Sequence, residues 1–352
     1  MNSEKHIISA GIDIGGTNSR MALVSEEGKI ISDASIPTRG ESAESFVGIL
    51  ADTLKRLLSE AGISQEELAG IGVGAPCANE ANGIIEAATD LPWPSPIPLA
   101  DLIRRYFPDV RVRISNDANA AAVGEMRYGA ASDTRNLIMI TLGTGVGSGI
   151  VCDGRLLNGS RGFAGELGHC SVRGGEGRRC SCGRTDCLQT YCSASGVVTT
   201  AKKMLAASEA PSMLRHCETL TAKDIFDAAA KGDAMALEVW RFTGEVLGRA
   251  CADFATFSDP DTIIFFGGVA GAFPFMEKSI RDALESNTLH LYRNRIRLKR
   301  SSLPASEAAL LGAAALVFSV SLKFKPNEVY AALRAGSRRG RWYSPMKRKP
   351  RG

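Results

Sequence analysis

The chain has 352 residues, 44% of them apolar and 23% charged, a globular composition long enough for about two domains of roughly 150 residues each. No apolar run reaches the roughly 18 residues of a membrane-spanning helix; the nearest, Ala308 to Val320, is short and rich in alanine. The net charge of +4 is uneven: from Ser321 onward ten Lys or Arg stand against Glu328, a balance of +9 that leaves the rest at −5.

The opening MNSEKHIISAGIDIGG carries Glu4 ahead of a short apolar run and lacks the regions of a signal peptide, so a cytoplasmic protein is expected. Three strands follow, HIISAGIDI, RMALVSE and KIISDASIP, a β-meander. Phe46, Ile49, Leu50, Leu54, Leu57, Leu58 and Ala61 recur at helical spacing, with Gly62 placed to end the helix. IGVGAP and VRVRISND read as strands, the second running into a helix at NAAAVGEM. A second series opens with NLIMITLG, a glycine turn, GSGIVCDG and GRLLNG. Helices over 222–231 and 235–257, the strand TIIFFGG, a helix over about 275–286, the strand RIRLKRS and a closing helix over about 306–320 complete it. Both halves open with strand, glycine turn, strand, which predicts two α/β lobes facing a cleft. Residues 321–352 form a basic extension that reads as disordered from about Gly336, either a solvated end or a contact for nucleic acid or an acidic partner.

Asp13–Asn18 (DIGGTN) and Thr141–Gly149 (TLGTGVGSG) place glycines between apolar strands, where backbone N–H groups can approach an anion. Neither turn is a Walker A loop or a dinucleotide fingerprint. Singly, each reads as a tight hairpin. Together, with hydroxyls at Thr17 and Thr144 and the Asp13 carboxylate able to hold Mg²⁺ through water, they read as a divided polyphosphate clamp.

Asn116 and Asp117 sit where a strand ends and a helix begins, ordinary helix-capping positions. Glu166 and His169, in GFAGELGH, are close enough in sequence to face one ligand, and such groups suit a sugar, whose hydroxyls both donate and accept.

The chain has nine cysteines. Cys77, Cys152, Cys170, Cys217 and Cys251 are scattered in apolar surroundings and read as small core residues, as does Cys192. His169, Cys180, Cys182 and Cys187 form H-x10-C-x-C-x4-C, a set that closes a tetrahedral Zn²⁺ site. Disulfides fit worse, because a Cys-x-Cys pair is awkward to bridge and a cytoplasm is reducing. Four protein ligands leave no open position, so the zinc is read as structural. His169 could bind it through one ring nitrogen and offer the other to a sugar.

DIGGTNSR, SNDANAAAVGE, TLGTGVGSGIV, GFAGELGH, the cysteine cluster and IIFFGG, in this order over about residues 7–320, resemble the ROK family (repressor, open reading frame, kinase), and its bacterial glucokinases in particular. The resemblance implies a two-lobed, ribonuclease H-like or actin-like ATPase fold. One lobe would be 1–116 with the closing helix at about 306–320, the other 117–305 with the zinc loop 169–187. It implies ATP-dependent phosphorylation of a hexose 6-hydroxyl, most readily that of glucose, with Asp117 as general base. Asp13 would serve Mg²⁺, while Gly15, Gly16, Thr17, Asn18, Arg20, Thr144 and Gly145 would line the nucleotide phosphates. Gly267 and Gly268 would pass close to the adenosine. For Arg20 a solvent-facing strand residue is an equal reading. Asn116, Asp117, Glu166, His169 and Thr89 would face the sugar.

Two positions depart from the family pattern. Asp186 replaces the usual glycine before the last zinc cysteine. Gln189 replaces a glutamate that contacts the sugar near its anomeric end, which puts glucose in question and leaves an N-acetylhexosamine kinase as the alternative. A sugar-responsive regulator of the same family would need a DNA-binding helix-turn-helix of about 60 residues ahead of the first glycine turn, whereas Asp13 arrives almost at once. The expected partner is therefore a small hexose, without membrane or nucleic acid. A homodimer or higher homo-oligomer is expected by analogy.

Overall fold

Two five-stranded mixed sheets share one topology, with the first three strands antiparallel and the last two added in parallel beside the first strand. The computed structural model of the chain describes residues 7–318 except 89, 173, 174 and 305. The expectations for Thr89 and for the basic extension 321–352 lie outside the described residues.

The first sheet is built from β1 (Ile8–Ile14), β2 (Asn18–Ser25) and β3 (Ile30–Pro37), the predicted meander. The chain then crosses through α1 (Ala43–Glu60) to β4 (Leu68–Gly74), parallel to β1. The hairpin β5 (Ala78–Asn79) and β6 (Ile84–Ile85) and the short α2 (Leu99–Arg104) precede β7 (Val112–Ser115), parallel to β4. β1 and β4 are buried along nearly their whole length, the apolar run of parallel strands covered on both faces, while edge strand β3 alternates. In α1, Ser42 and Ser45 cap each other's N–H groups at 3.1 Å. Phe46, Leu50, Leu54, Leu57 and Leu58 form its buried stripe, and Gly62 at φ +68° ends it.

α3 (Asp117–Tyr128) leads into the second sheet, made of β8 (Leu137–Leu142), β9 (Val146–Cys152) and β10 (Arg155–Leu156). The metal-ligand candidates follow, then α4 (Gln189–Cys192), α5 (Ala194–Ala207), α6 (Ala222–Ala230) and α7 (Ala234–Ser258). β11 (Thr262–Phe266), α8 (Phe273–Asn287) and β12 (Arg297–Arg300) complete this half. The closing helix α9 (Ala308–Ala315) is shorter than predicted and packs on β1, β4 and α3.

Glycines allow that packing. A Cβ on Gly72 would strike the carbonyl of Ala313, and one on Gly124 would stand 2.8 Å from the Gly312 Cα. α3 therefore lies against α9 on one side while Gly147 and Gly149 of β9 admit Ala118 and Ala122 on the other. The N-terminus of α3 is held between the two sheets.

The cysteine expectation needs correction. Cys251 and Cys192 are buried, but Cys77, Cys152, Cys170 and Cys217 are only half-buried, because they sit at strand ends and loops rather than on interior faces.

Candidate active site

Parallel pairing sets Asp13 of β1 beside Gly74 of β4, and Gly74 beside Ser115 of β7. Asp13 and the Asn116–Asp117 pair thus leave the same C-terminal edge of the sheet, the edge at which open α/β sheets bind ligands. Asn116 caps α3 by accepting the Ala118 N–H at 2.9 Å, and Asp117 Oδ1 accepts the same N–H at 2.7 Å. That engages one carboxylate oxygen of Asp117, and the residue remains exposed. Capping and a ligand-facing role are compatible here.

Burial, and then the charge of Asp117, push the Asp13 carboxyl from 3.8 up to about 6, opposed by Arg20. Arg20 is the cross-strand partner of Asp13. A desolvated carboxylate repelled by a second one makes a favourable seat for a divalent cation. The stability consequence has a definite sign. Unfolded Asp13 ionises near 3.8 and folded Asp13 near 6, so stability falls as pH rises through that window and stays lowered above it. Asp13→Asn is expected to raise the melting temperature of nucleotide-free protein at pH 8 by roughly 2–5 °C, about 1–2 kcal/mol after allowing for solvent screening. The gain shrinks toward pH 4. Thermal melts at both pH values check it, and a variant melting with wild type at pH 8 would remove the desolvation argument.

The first glycine turn closes with the Gly15 N–H donating to Asn18 O at 3.2 Å, leaving Gly16, Thr17 and Asn18 exposed. Gly16 packs so tightly on the Asp90 carbonyl that a Cβ there would lie 2.6 Å from it. Arg20 reaches the Ser306 carbonyl and, at 3.7 Å, Asp33. In the second turn the Gly143 N–H donates to Gly145 O at 3.0 Å, with Thr144 exposed at the tip. Gly267, at φ +98°, lies against the Leu142 carbonyl where no side chain fits. Beyond it, Gly268, Val269, Phe226, Trp240 and Lys223 enclose a largely apolar slot of about 470 Å³ that begins at Thr144. Its largely apolar lining can accommodate a heteroaromatic ring.

Glu166 caps and His169 ends a one-turn 3₁₀ segment in which the His169 N–H donates to Glu166 O at 3.1 Å. Gly168 lies so close to Val146 of β9 that it has no room for a Cβ, and Ser148 binds the Gly165 carbonyl, so the loop is pinned beside the N-terminus of α3. It is also tied to the β5–β6 hairpin: Asn79 donates to the Arg161 carbonyl at 2.8 Å, and Asn158 donates to Glu80 at 2.9 Å. Cys77 marks where these groups converge. Burial raises its thiol, and so do the charges of Glu166, Asp117 and Asp90. Cys77 and Asp90 were missed in the sequence; for Cys77 the available signal was that GAPC closes β4, the strand between β1, which carries Asp13, and β7, which leads into Asp117.

The ligand atoms of His169, Cys180, Cys182 and Cys187 all lie within 4.8 Å of one another. Cys180 Sγ stands 3.7 Å from His169 Nδ1, and Cys182 Sγ is 3.6 Å from Cys187 Sγ. These match the ~3.6–3.8 Å edges of a tetrahedron around zinc and are far from the ~2.05 Å of a disulfide. Burial raises the Cys180 thiol, but hydrogen bonds from the Cys182 backbone, Cys182, Gln189 and Cys187 outweigh it and bring it down to about 6. Burial, with Cys182 and Cys180, pushes Cys187 up to about 12. A thiol drawn toward its ionised form beside three further donor atoms is a metal-ready arrangement.

Asp186 does more than fill a glycine position. It adopts φ +55°, which Asp tolerates, and its carboxylate accepts the N–H groups of Gly177 at 3.0 Å and Arg178 at 2.9 Å and the Tyr191 hydroxyl at 2.6 Å. Gln189 points its amide at Cys180, donating at 3.0 Å.

Two sheets of one topology, each with a glycine turn between its first two strands, and carboxylates at one strand edge fit a two-lobed, actin-like phosphotransferase of the ATP-dependent sugar kinase class. The ROK family model matches residues 9–320. A glucokinase of Halalkalibacterium halodurans is 36% identical over 87% of this chain and 94% of its own length. A xylose repressor of Caldicellulosiruptor bescii is 28% identical over 89% of this chain and 79% of its own. Among solved structures, a ROK family glucokinase from Streptomyces griseus in complex with glucose and AMPPNP superposes with a TM-score of 0.67 at 31% identity, covering 88% of this chain and 98% of that one. The chain belongs to the ROK family. Among the described residues, no helix is long and apolar enough to cross a membrane.

Proposed function

We propose that the chain transfers the γ-phosphoryl group of ATP to the 6-hydroxyl of a hexose, with glucose as the leading acceptor. Because relatives include both kinases and a repressor, the reading rests on the site. The observation that supports it is Asp117, exposed at the head of α3 at the strand edge that carries Asp13, with Glu166 near by.

In this reading residues 1–116 with α9, and 117–305, close on the site as two lobes. The apolar slot takes the adenine, Gly267 and Gly268 let the backbone pass the ribose, and Gly16, Thr17 and Asn18 with Thr144 and Gly145 donate to phosphates, Gly15 shaping the turn. Asp13 would hold Mg²⁺, which neutralises charge on the transferring phosphoryl group. Asn116, Glu166 and His169 hydrogen-bond the sugar hydroxyls and orient one toward Asp117. Asp117 accepts that hydroxyl's proton as oxygen attacks phosphorus and the bond to the ADP oxygen breaks. His169, Cys180, Cys182 and Cys187 would hold a structural zinc, with Nδ1 of His169 on the cluster side and Nε2 left for the sugar.

A second reading, an N-acetylhexosamine kinase, follows from the absence at position 189 of the family's sugar-binding carboxylate. A coupled assay of ADP formation over glucose, mannose, fructose, allose, N-acetylglucosamine and N-acetylmannosamine tests both. Glucose is expected to give the highest kcat/KM. An N-acetyl sugar in first place would move the assignment to the second reading, and no sugar above background in metal-replete protein would end the kinase reading.

A further inference from the structure

We infer that Gln189 is a positioning residue that couples the metal loop to the second phosphate turn, in place of a contact with the sugar. The inference rests on the zinc reading above and concerns what this chain's amide does for it. Gln189 Nε2 donates to Cys180 Sγ at 3.0 Å. Its Oε1 occupies the space beside Gly145, where a Cβ would stand 3.3 Å away. The same short stretch binds both neighbours through its backbone. It begins at the ligand candidate Cys187, and at its far end the Ala194 N–H donates to the Gly143 carbonyl at 2.8 Å. Gln189 O holds the segment together by accepting the Ser193 N–H at 3.1 Å.

The residue type follows from the chemistry of the neighbour. A metal thiolate keeps excess negative charge, which an N–H donor stabilises, and outer-shell donors of this kind typically change metal affinity 10- to 100-fold. A carboxylate in the same place is acceptor-only and would set a second negative charge against the sulfur. The amide therefore suits the cluster, whereas the family's glutamate suits a sugar hydroxyl.

The test measures zinc release from purified full-length protein to a chromogenic chelator, for wild type, Gln189→Met and Gln189→Glu, together with KM for MgATP and for the preferred sugar. Methionine keeps the side-chain volume without donor or acceptor. Zinc release is expected to quicken about tenfold or more in both variants, with glutamate the worse, and KM for MgATP is expected to rise more than KM for the sugar. Unchanged release in both variants overturns the proposal. So does a Gln189→Glu protein that changes sugar preference while holding zinc as wild type does, which would return residue 189 to the sugar. Wild-type protein that contains no zinc fails the metal reading itself, and this inference with it, before any variant is compared.

Discussion

Asp117→Asn is expected to lower kcat by about 10²- to 10⁴-fold while leaving KM for MgATP within about twofold. Asn116 supplies the N-cap of α3 independently of Asp117, so the helix keeps its start and the variant folds. Asparagine occupies the same volume and still accepts the Ala118 N–H, but it cannot take a proton from an attacking hydroxyl. A second readout separates this from general damage. The charge of Asp117 is the second cause, after burial, of the raised Asp13 carboxyl. Removing it lets Asp13 ionise at lower pH, so the acid limb of MgATP binding should move downward in the variant. Turnover close to wild type would refute Asp117 as the base, and an unmoved acid limb would refute its coupling to Asp13.

Cys182→Ser is expected to abolish the roughly one zinc per chain and to raise KM for the sugar at least tenfold, with a smaller effect on KM for MgATP. Cys182 is the exposed member of the set, whereas Cys180 and Cys187 are buried. Serine at 182 therefore opens no cavity, and its effect travels through the metal. Structural zinc in small peptides contributes about 10–16 kcal/mol of apparent binding free energy. Here part of the loop is already ordered by Asp186, Arg178 and Tyr191, so the loss should appear as misplacement of His169 rather than global unfolding. Removing metal from wild type with a chelator should reproduce the defect, and added zinc should restore activity. Full activity in protein that metal analysis finds zinc-free would rule out this site.

Much of this was legible because it is local. Alternating and continuous apolar runs marked the meander and the parallel strands, and Gly62 marked the end of α1. The ligand candidates were legible for the same reason, since His169 to Cys187 lie within one loop and spacing alone constrains their geometry. Helix α5 was missed because Val197, Val198, Thr199 and Thr200 stand at its centre. These β-branched residues are weak helix formers, and burial of Val197, Thr200 and Ala201 carries the helix instead.

By itself the sequence determined the strands, most helices, the glycine turns and the set of thiols, because periodicity, capping and short-range spacing are properties of neighbouring residues. Only the tertiary structure decided that Asp13 and Asp117 share one sheet edge, that Cys77 and Asp90 lie beside them, and that Gln189 faces a sulfur. Those outcomes depend on which distant strands pair and on which contacts close packing leaves open, and no local stretch of chain encodes either.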